Sequence, residues 1–231
     1  MTKQRSVTWR PMGRHVAVFS VVLSIVAGAC SSSDEPASSP TTSVDSSGEV
    51  DEYGCAVLDR PAPELLEVGV VVEFDDKGNS HEACAAGYDT AIPTTGTHFA
   101  VWQNCGFYTE PIRDNAAVHS LEHGAVWISY ASDLTADEVE AIKTAVGEDE
   151  HMLAAPYPGL QNPIVLSAWT RQLAVDRWAD PLVAEFIHDY LGRRSPTAPE
   201  PGVSCDGGFG VAPNLPDADY APSLEWARDN A

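Results

Sequence analysis

Apolar residues in this chain fall into a few short runs set among long polar stretches, and their spacing predicts the elements. Val68–Phe74 (VGVVVEF) is β-branched and apolar, which predicts a strand closed by the turn-forming run Asp75-Asp76-Lys77-Gly78-Asn79. Ala125–Tyr130 predicts another strand, and two further apolar stretches lie around Met152–Ala155 and Ile164–Trp169. Thr135-Ala136-Asp137-Glu138 has the form of a capping box, with Leu134 and Val139 placed as a hydrophobic staple. Val139, Ile142 and Val146 then recur on one helical face, and Gly147 supplies the stop. A second helix is predicted from Asp180 as cap and Pro181 at its first position. Its apolar stripe is Leu182, Val183, Phe186, Ile187, Tyr190 and Leu191, and Gly192 ends it. From Ala91 to Pro111 the chain is rich in Pro, Gly, Thr and aromatics and predicts an ordered loop.

This order suggests one α+β domain with a mixed or antiparallel sheet and two main helices, supported by disulfides. The boundaries predicted are a leader at 1–29, a disordered tether at 30–52, the folded domain at 53–195 and a Pro- and Gly-rich tail at 196–231. No internal repeat is present.

The leader changes the expected location. Lys3, Arg5, Arg10 and Arg14 precede an apolar and small-residue run, Val16–Ala29, that is short for a bilayer span and fits a signal-peptide core. It ends Ala27-Gly28-Ala29-Cys30, followed by a Ser- and acid-rich stretch, which resembles a bacterial lipoprotein cleavage site. That resemblance implies lipidation of Cys30, a membrane partner reached through the lipid, and a domain on the extracytoplasmic face of the cell membrane. Ala27 departs from the usual Leu, Val or Ile and leaves an uncleaved anchor as the alternative.

The chain carries a formal net charge of −21, and four of its 13 basic residues lie in the leader, which holds none of the 34 acidic ones. The remainder is strongly acidic, which argues against nucleic acid and anionic lipid surfaces as partners and raises the local cation concentration. Besides Cys30 there are four cysteines, Cys55, Cys84, Cys105 and Cys205, an even number that reads as two disulfides in an exported domain. The pairing expected is Cys84–Cys105 as a local staple and Cys55–Cys205 as a clasp between the domain's ends. None forms a Cys-x-x-Cys pair, so thiolate redox or zinc chemistry is poorly supported.

The densest chemistry lies in Val118-His119-Ser120-Leu121-Glu122-His123-Gly124. His119 and His123 share a face whether the segment is helical or extended, so either conformation lets the two imidazoles meet one ion. Glu122 or a water is the expected fourth group, and copper or zinc the expected ion. The pattern His-x-x-Glu-His also matches the motif of inverted zinc peptidases, but Gly124 and the following strand cut the helix at once. Glu185, with His188 and Asp189, reads as the solvated face of the second helix. Met152 in His151-Met152 reads as core, Trp102, Trp127 and Trp169 as packing, and His81 beside Glu82 as exposed.

Several blocks resemble one bacterial family in the same order: Thr94-Thr95-Gly96-Thr97-His98, Gly106-Phe107-Tyr108-Thr109-Glu110-Pro111, the Val118–Gly124 block, Ala155-Pro156-Tyr157-Pro158 and Ser167-Ala168-Trp169. The family is the exported or membrane-anchored domain of unknown function 3105, in which the first block usually reads Thr-Ser-Gly-Pro-His. Thr95 and Thr97 depart from it and the histidine is kept. The resemblance implies an extracytoplasmic α+β domain, supplies no activity, and adds His98 to the candidate ligands His119, His123 and Glu122. The expected function is metal sequestration, delivery or sensing at the cell surface. A metal-free interaction module and a metal-dependent hydrolase are the alternatives.

Overall fold

The computed structural model describes residues 60–84, 87–147, 149–205 and 207–210. The predicted leader, Cys30, the tether, Cys55 and the tail beyond residue 210 lie outside the described residues. A six-stranded mixed sheet organises the chain. Its strands are β1 (Val71–Glu73), β4 (Gly106–Phe107), β5 (Val126–Tyr130), β6 (Met152–Pro156), β7 (Ile164–Ala168) and β8 (Arg171–Val175), in the spatial order β1-β8-β7-β5-β6-β4. β6 runs parallel to both β5 and β4, and the other pairings are antiparallel. A two-stranded parallel ribbon, β2 (His81–Glu82) with β3 (His98–Phe99), stands apart from it.

Strand alternation sorts the core into two layers. Trp127, Leu153, Ala155, Val165 and Ala174 pack with Val118 and Leu121 of helix α1 (Asp114–Glu122). Val126, Ile128, Ala154, Leu166, Leu173 and Val175 pack with Ile142 and Val146 of α2 (Ala136–Val146) and with Val183 and Phe186 of α3 (Pro181–Tyr190). Burial on both faces explains why β5 and β7 read as continuous apolar runs. The fold is therefore α+β with a mixed sheet, as the patterning predicts.

The predicted ends of α2 and α3 are present. Thr135 accepts from the Glu138 amide, and Asp180 accepts from the Leu182 amide ahead of Pro181. Only half of the capping box forms, because the Glu138 carboxylate accepts from the Trp178 amide at 2.6 Å instead of turning back to its own cap. Several elements go beyond the sequence expectation: β2, and β3 and β4 within Ala91–Pro111, are strands of two residues each where turn and loop are expected, and two longer elements are also new. β8 opens with Arg171-Gln172 and carries little apolar signal, and α1 adds a third helix. Residues 115–122 of α1 are all buried, so it has no polar face to betray a helical period.

The disulfides correct the expected pairing. Cys105 bonds Cys205, with Cα atoms 5.1 Å apart, which rules out both the Cys84–Cys105 staple and the Cys55–Cys205 clasp; Cys84 is in a disulfide of its own. The cause is the return of the chain near Phe209 to residues 102–104. Asn104 donates its amide to Phe209 and Phe209 donates to Trp102, which lays Cys205 beside Cys105. Among the described residues no helix is long and apolar enough to cross a membrane.

Candidate metal centre

Helix α1 is the floor of the site and the β2–β3 ribbon is its wall. Positions 119 and 122 are one turn apart and present their side chains together. β3 crosses that side of α1 and brings His98; β2 lies in register with it, His81 opposite His98. The result is a cluster of His81, His98, His119 and Glu122, whose candidate ligand atoms all lie within 4.8 Å of one another.

The common focus is Glu122 Oε2. It lies 3.0 Å from His98 Nε2, 3.2 Å from His81 Nε2 and 3.9 Å from His119 Nε2. A tetrahedral zinc or copper ion with bonds of roughly 2.0–2.1 Å separates its ligand atoms by about 3.4 Å. The three distances straddle that value. Glu122 Oε1 accepts from the Asn79 side-chain amide.

Two of the rings have a fixed orientation. His98 Nδ1 lies 2.7 Å from the Gly96 carbonyl, and His119 Nδ1 lies 2.6 Å from the Phe99 carbonyl. A carbonyl only accepts, so each Nδ1 carries a proton, and in the neutral ring each Nε2 presents its lone pair. Gly96 takes a left-handed φ of 111° at this turn, which lets its carbonyl face His98.

Charge follows from burial. His98, His119 and Glu122 are buried, while the His81 side chain is 39% exposed. Burial, reinforced by His98, His123 and His81, lowers the His119 pKa to about 3 against the pull of the Phe99 carbonyl. Burial alone would raise the carboxyl of Glu122, but its bonds with His98 and Asn79 outweigh that and hold it well below the usual range, ionised. With each Nδ1 tied to a carbonyl, Nε2 is the atom of each ring that faces the ionised carboxylate, and a shared cation, a proton or a metal ion, satisfies such a contact.

His123 was expected among the ligands and lies outside this cluster. It caps the C-terminus of α1, turned away from Glu122, with its ring 4.7 Å from that of His119 and 5.1 Å from Trp102. Its Nε2 is 3.8 Å from Glu200, and a backbone contact with Ser204 also bears on the ring. Burial, with the electrostatic influence of His98 and His81 adding to it, lowers its pKa to about 4 against the opposing pull of Glu122. In a His-x-x-Glu-His peptidase the two histidines would share the ion with the glutamate beside it; here His119 and Glu122 face the same point. His151 and His188 are not in the cluster, and Met152 packs in the core.

His81 was read from sequence as merely exposed, and the structure brings it into the group. Its strand is two residues long and follows a turn of polar residues, so no hydrophobic period marks it. The available signal was position alone: a histidine just past a turn that can fold back on Thr94–His98.

The profile of the family described as Protein of unknown function (DUF3105) matches residues 81–207, a span that takes in the whole cluster and the Cys105–Cys205 bond. No curated protein and no solved structure matches the chain.

Proposed function

The chain belongs to the DUF3105 family, and because that family carries no described activity we propose a function from the site itself: the domain binds one Cu²⁺ or Zn²⁺ through His81, His98, His119 and Glu122. The observation that carries this reading is the convergence on the Glu122 carboxylate of Nε2 of His98 and of His119, each ring fixed through Nδ1 by a backbone carbonyl. Three imidazoles and a carboxylate are borderline and hard donors, which suit copper(II) and zinc rather than copper(I). The backbone carbonyls behind His98 and His119 serve as the outer partners that orient metal-bound imidazoles. A four-ligand set closes a tetrahedral ion, which favours holding or handing on the metal over hydrolysis, where a water needs a position.

We further propose that the domain works at the extracytoplasmic face of the membrane, tethered through Cys30. The basic leader, its apolar core and the Ala-Gly-Ala-Cys ending support this. Cys30→Ala is expected to release the protein from membranes or stall its processing; normal maturation with unchanged membrane retention would exclude the lipid anchor.

Isothermal calorimetry tests the metal reading. The purified protein should bind about one Cu²⁺ or Zn²⁺ per chain, His119→Ala should lose most of the affinity, and His188→Ala, on an exposed helix face, should keep it. No saturable binding by the wild type leaves a metal-free interaction module as the better account.

A further inference from the structure

We infer that His81 is the detachable ligand of this centre, through which the ion enters and is passed to an acceptor while His98, His119 and Glu122 hold it. The inference rests on the metal reading above and adds the route of exchange.

The four ligands are unequally held. His98 and His119 are buried, and each is tied through Nδ1 to a backbone carbonyl. Glu122 is buried and its second oxygen is bound by Asn79. His81 is different in each respect. Its side chain is 39% exposed, and among the described residues its Nδ1 makes no hydrogen bond. Its ring is stacked on His119, 4.7 Å between centroids and 6° between planes, a contact that a ring can leave by sliding outward.

The segment that carries His81 is also weakly seated. Residues 75–82 are exposed, and β2 pairs only with β3, outside the main sheet. A cavity of about 490 Å³ lies between Phe74–Lys77 and the run Tyr88–Thr97, beside the base of this flap. The Cys84 disulfide holds the chain three residues beyond His81, and what fastens the flap itself is polar. Thr95 Oγ1 donates to Asp76 at 2.8 Å and accepts from the Lys77 amide at 3.2 Å. Gly96 and His98 donate their amides to Gly78 and Ser80, and Asn79 reaches Glu122. Segments held by exposed hydrogen bonds without buried apolar contact open most readily.

Exchange then needs no redox change. The metal–Nε2 bond to His81 would break and a bond from the acceptor's imidazole, carboxylate or thiolate would form in its place while three ligands keep the ion; the bonds to His98, His119 and Glu122 would then be replaced in turn by further acceptor atoms. Solvent reaches the centre from the His81 side, so the acceptor's donor atom arrives there.

The test follows zinc transfer from the loaded full-length protein to the dye 4-(2-pyridylazo)resorcinol by stopped flow. His81→Ala should transfer zinc about tenfold faster or more while losing less affinity than His119→Ala. Thr95→Val keeps all four ligands and removes the flap's clasp. It should raise the rate about tenfold with affinity within about threefold, because a flap that stays mostly closed changes its opening rate before its mean occupancy. Transfer rates equal in wild type, His81→Ala and Thr95→Val overturn the inference and leave the metal site standing, as does loss of zinc in His81→Ala as complete as in His119→Ala. A wild type that takes up no zinc overturns both.

Discussion

Trp102 Nε1 donates to the carbonyl of Cys205 at 2.8 Å, and the same indole lies 5.5 Å from the His119 ring and 5.1 Å from that of His123. One side chain thus joins the returning C-terminal segment to the helix that carries the candidate ligands. The Cys105–Cys205 bond locks this arrangement across a sequence separation of 100 residues. Removing it with Cys105→Ser and Cys205→Ser should cost roughly 2–5 kcal/mol. Amide exchange should rise first at Gly202 and Cys205, which donate to His123 and Glu150. Denaturant unfolding and hydrogen exchange read the two effects; protection unchanged at those amides would mean that the segment is held without the disulfide.

His81 and His123 separate the observed site from the one expected from sequence. His123→Ala should keep one metal per chain, with a modest loss of affinity, because it removes packing against His119 rather than a ligand atom. His98→Ala should lose most of the binding. Calorimetry on the two variants decides, and equal losses would place His123 on the ion.

Acid should weaken the metal-free fold, and the sign follows from the shifts. His119 and His123, lowered to about 3 and 4, stay neutral in the fold, while the unfolded chain protonates them below about 6.5. The unfolded state therefore holds more protons, and stability falls with decreasing pH below about 6.5, by up to roughly 1.4 kcal/mol per pH unit for each group. Asp114 works in the opposite sense. Burial raises it to about 6 even though Arg60 lies 2.9 Å away, so the fold takes up its proton first as pH falls. Its contribution is present at low pH and is lost as pH rises through about 6. Asp114→Asn should accordingly steepen the acid loss between about pH 6 and 4. Thermal melts across that range check it, and parallel profiles for variant and wild type would contradict the assignment.

Gly124 makes a tight backbone contact at the end of the ligand-bearing helix. It has φ of 87°, and a Cβ added there would lie 2.7 Å from the Gly192 carbonyl oxygen. Gly192 also donates its amide to the Gly124 carbonyl at 2.7 Å, which fastens the end of α3 to the end of α1. Gly124→Ala should destabilise the domain by about 2 kcal/mol or more, from backbone strain and separation of this contact. Chemical denaturation measures it, and a change below about 0.5 kcal/mol would show that the two helix ends move apart freely.

Much of the sheet was legible because β5, β6 and β7 are apolar on both faces, and α2 and α3 because Thr135, Asp180, Pro181 and Gly147 mark their ends. Helix α1 was left open between helix and strand, since a segment buried on every side has no period to read. His119 and Glu122 stand out by residue type and spacing and His98 by the family resemblance, and the structure gathers them. His81 does not, because what brings it there is the pairing of two-residue strands and a set of backbone bonds to Gly78 and Ser80, none of which depends on side-chain pattern. The choice between Glu122 and His123 was equally hidden. Both flank His119 on a helix, and only the side on which β3 crosses decides which one faces the ion.

The placement of His81 and Glu122 has a topological consequence. Their positions differ by 41 in the chain, and a metal bound by both would close that stretch into a ring, as a covalent staple does. By the loop-entropy argument used for disulfides, closing such a ring removes roughly 4 kcal/mol of freedom from the unfolded chain. The ring spans His98 and β4 but stops short of β5–β8, so it would tighten the ligand-bearing half of the domain while the sheet stands on its own packing. Loading and unloading the ion would then act as a reversible cross-link on one part of the chain only.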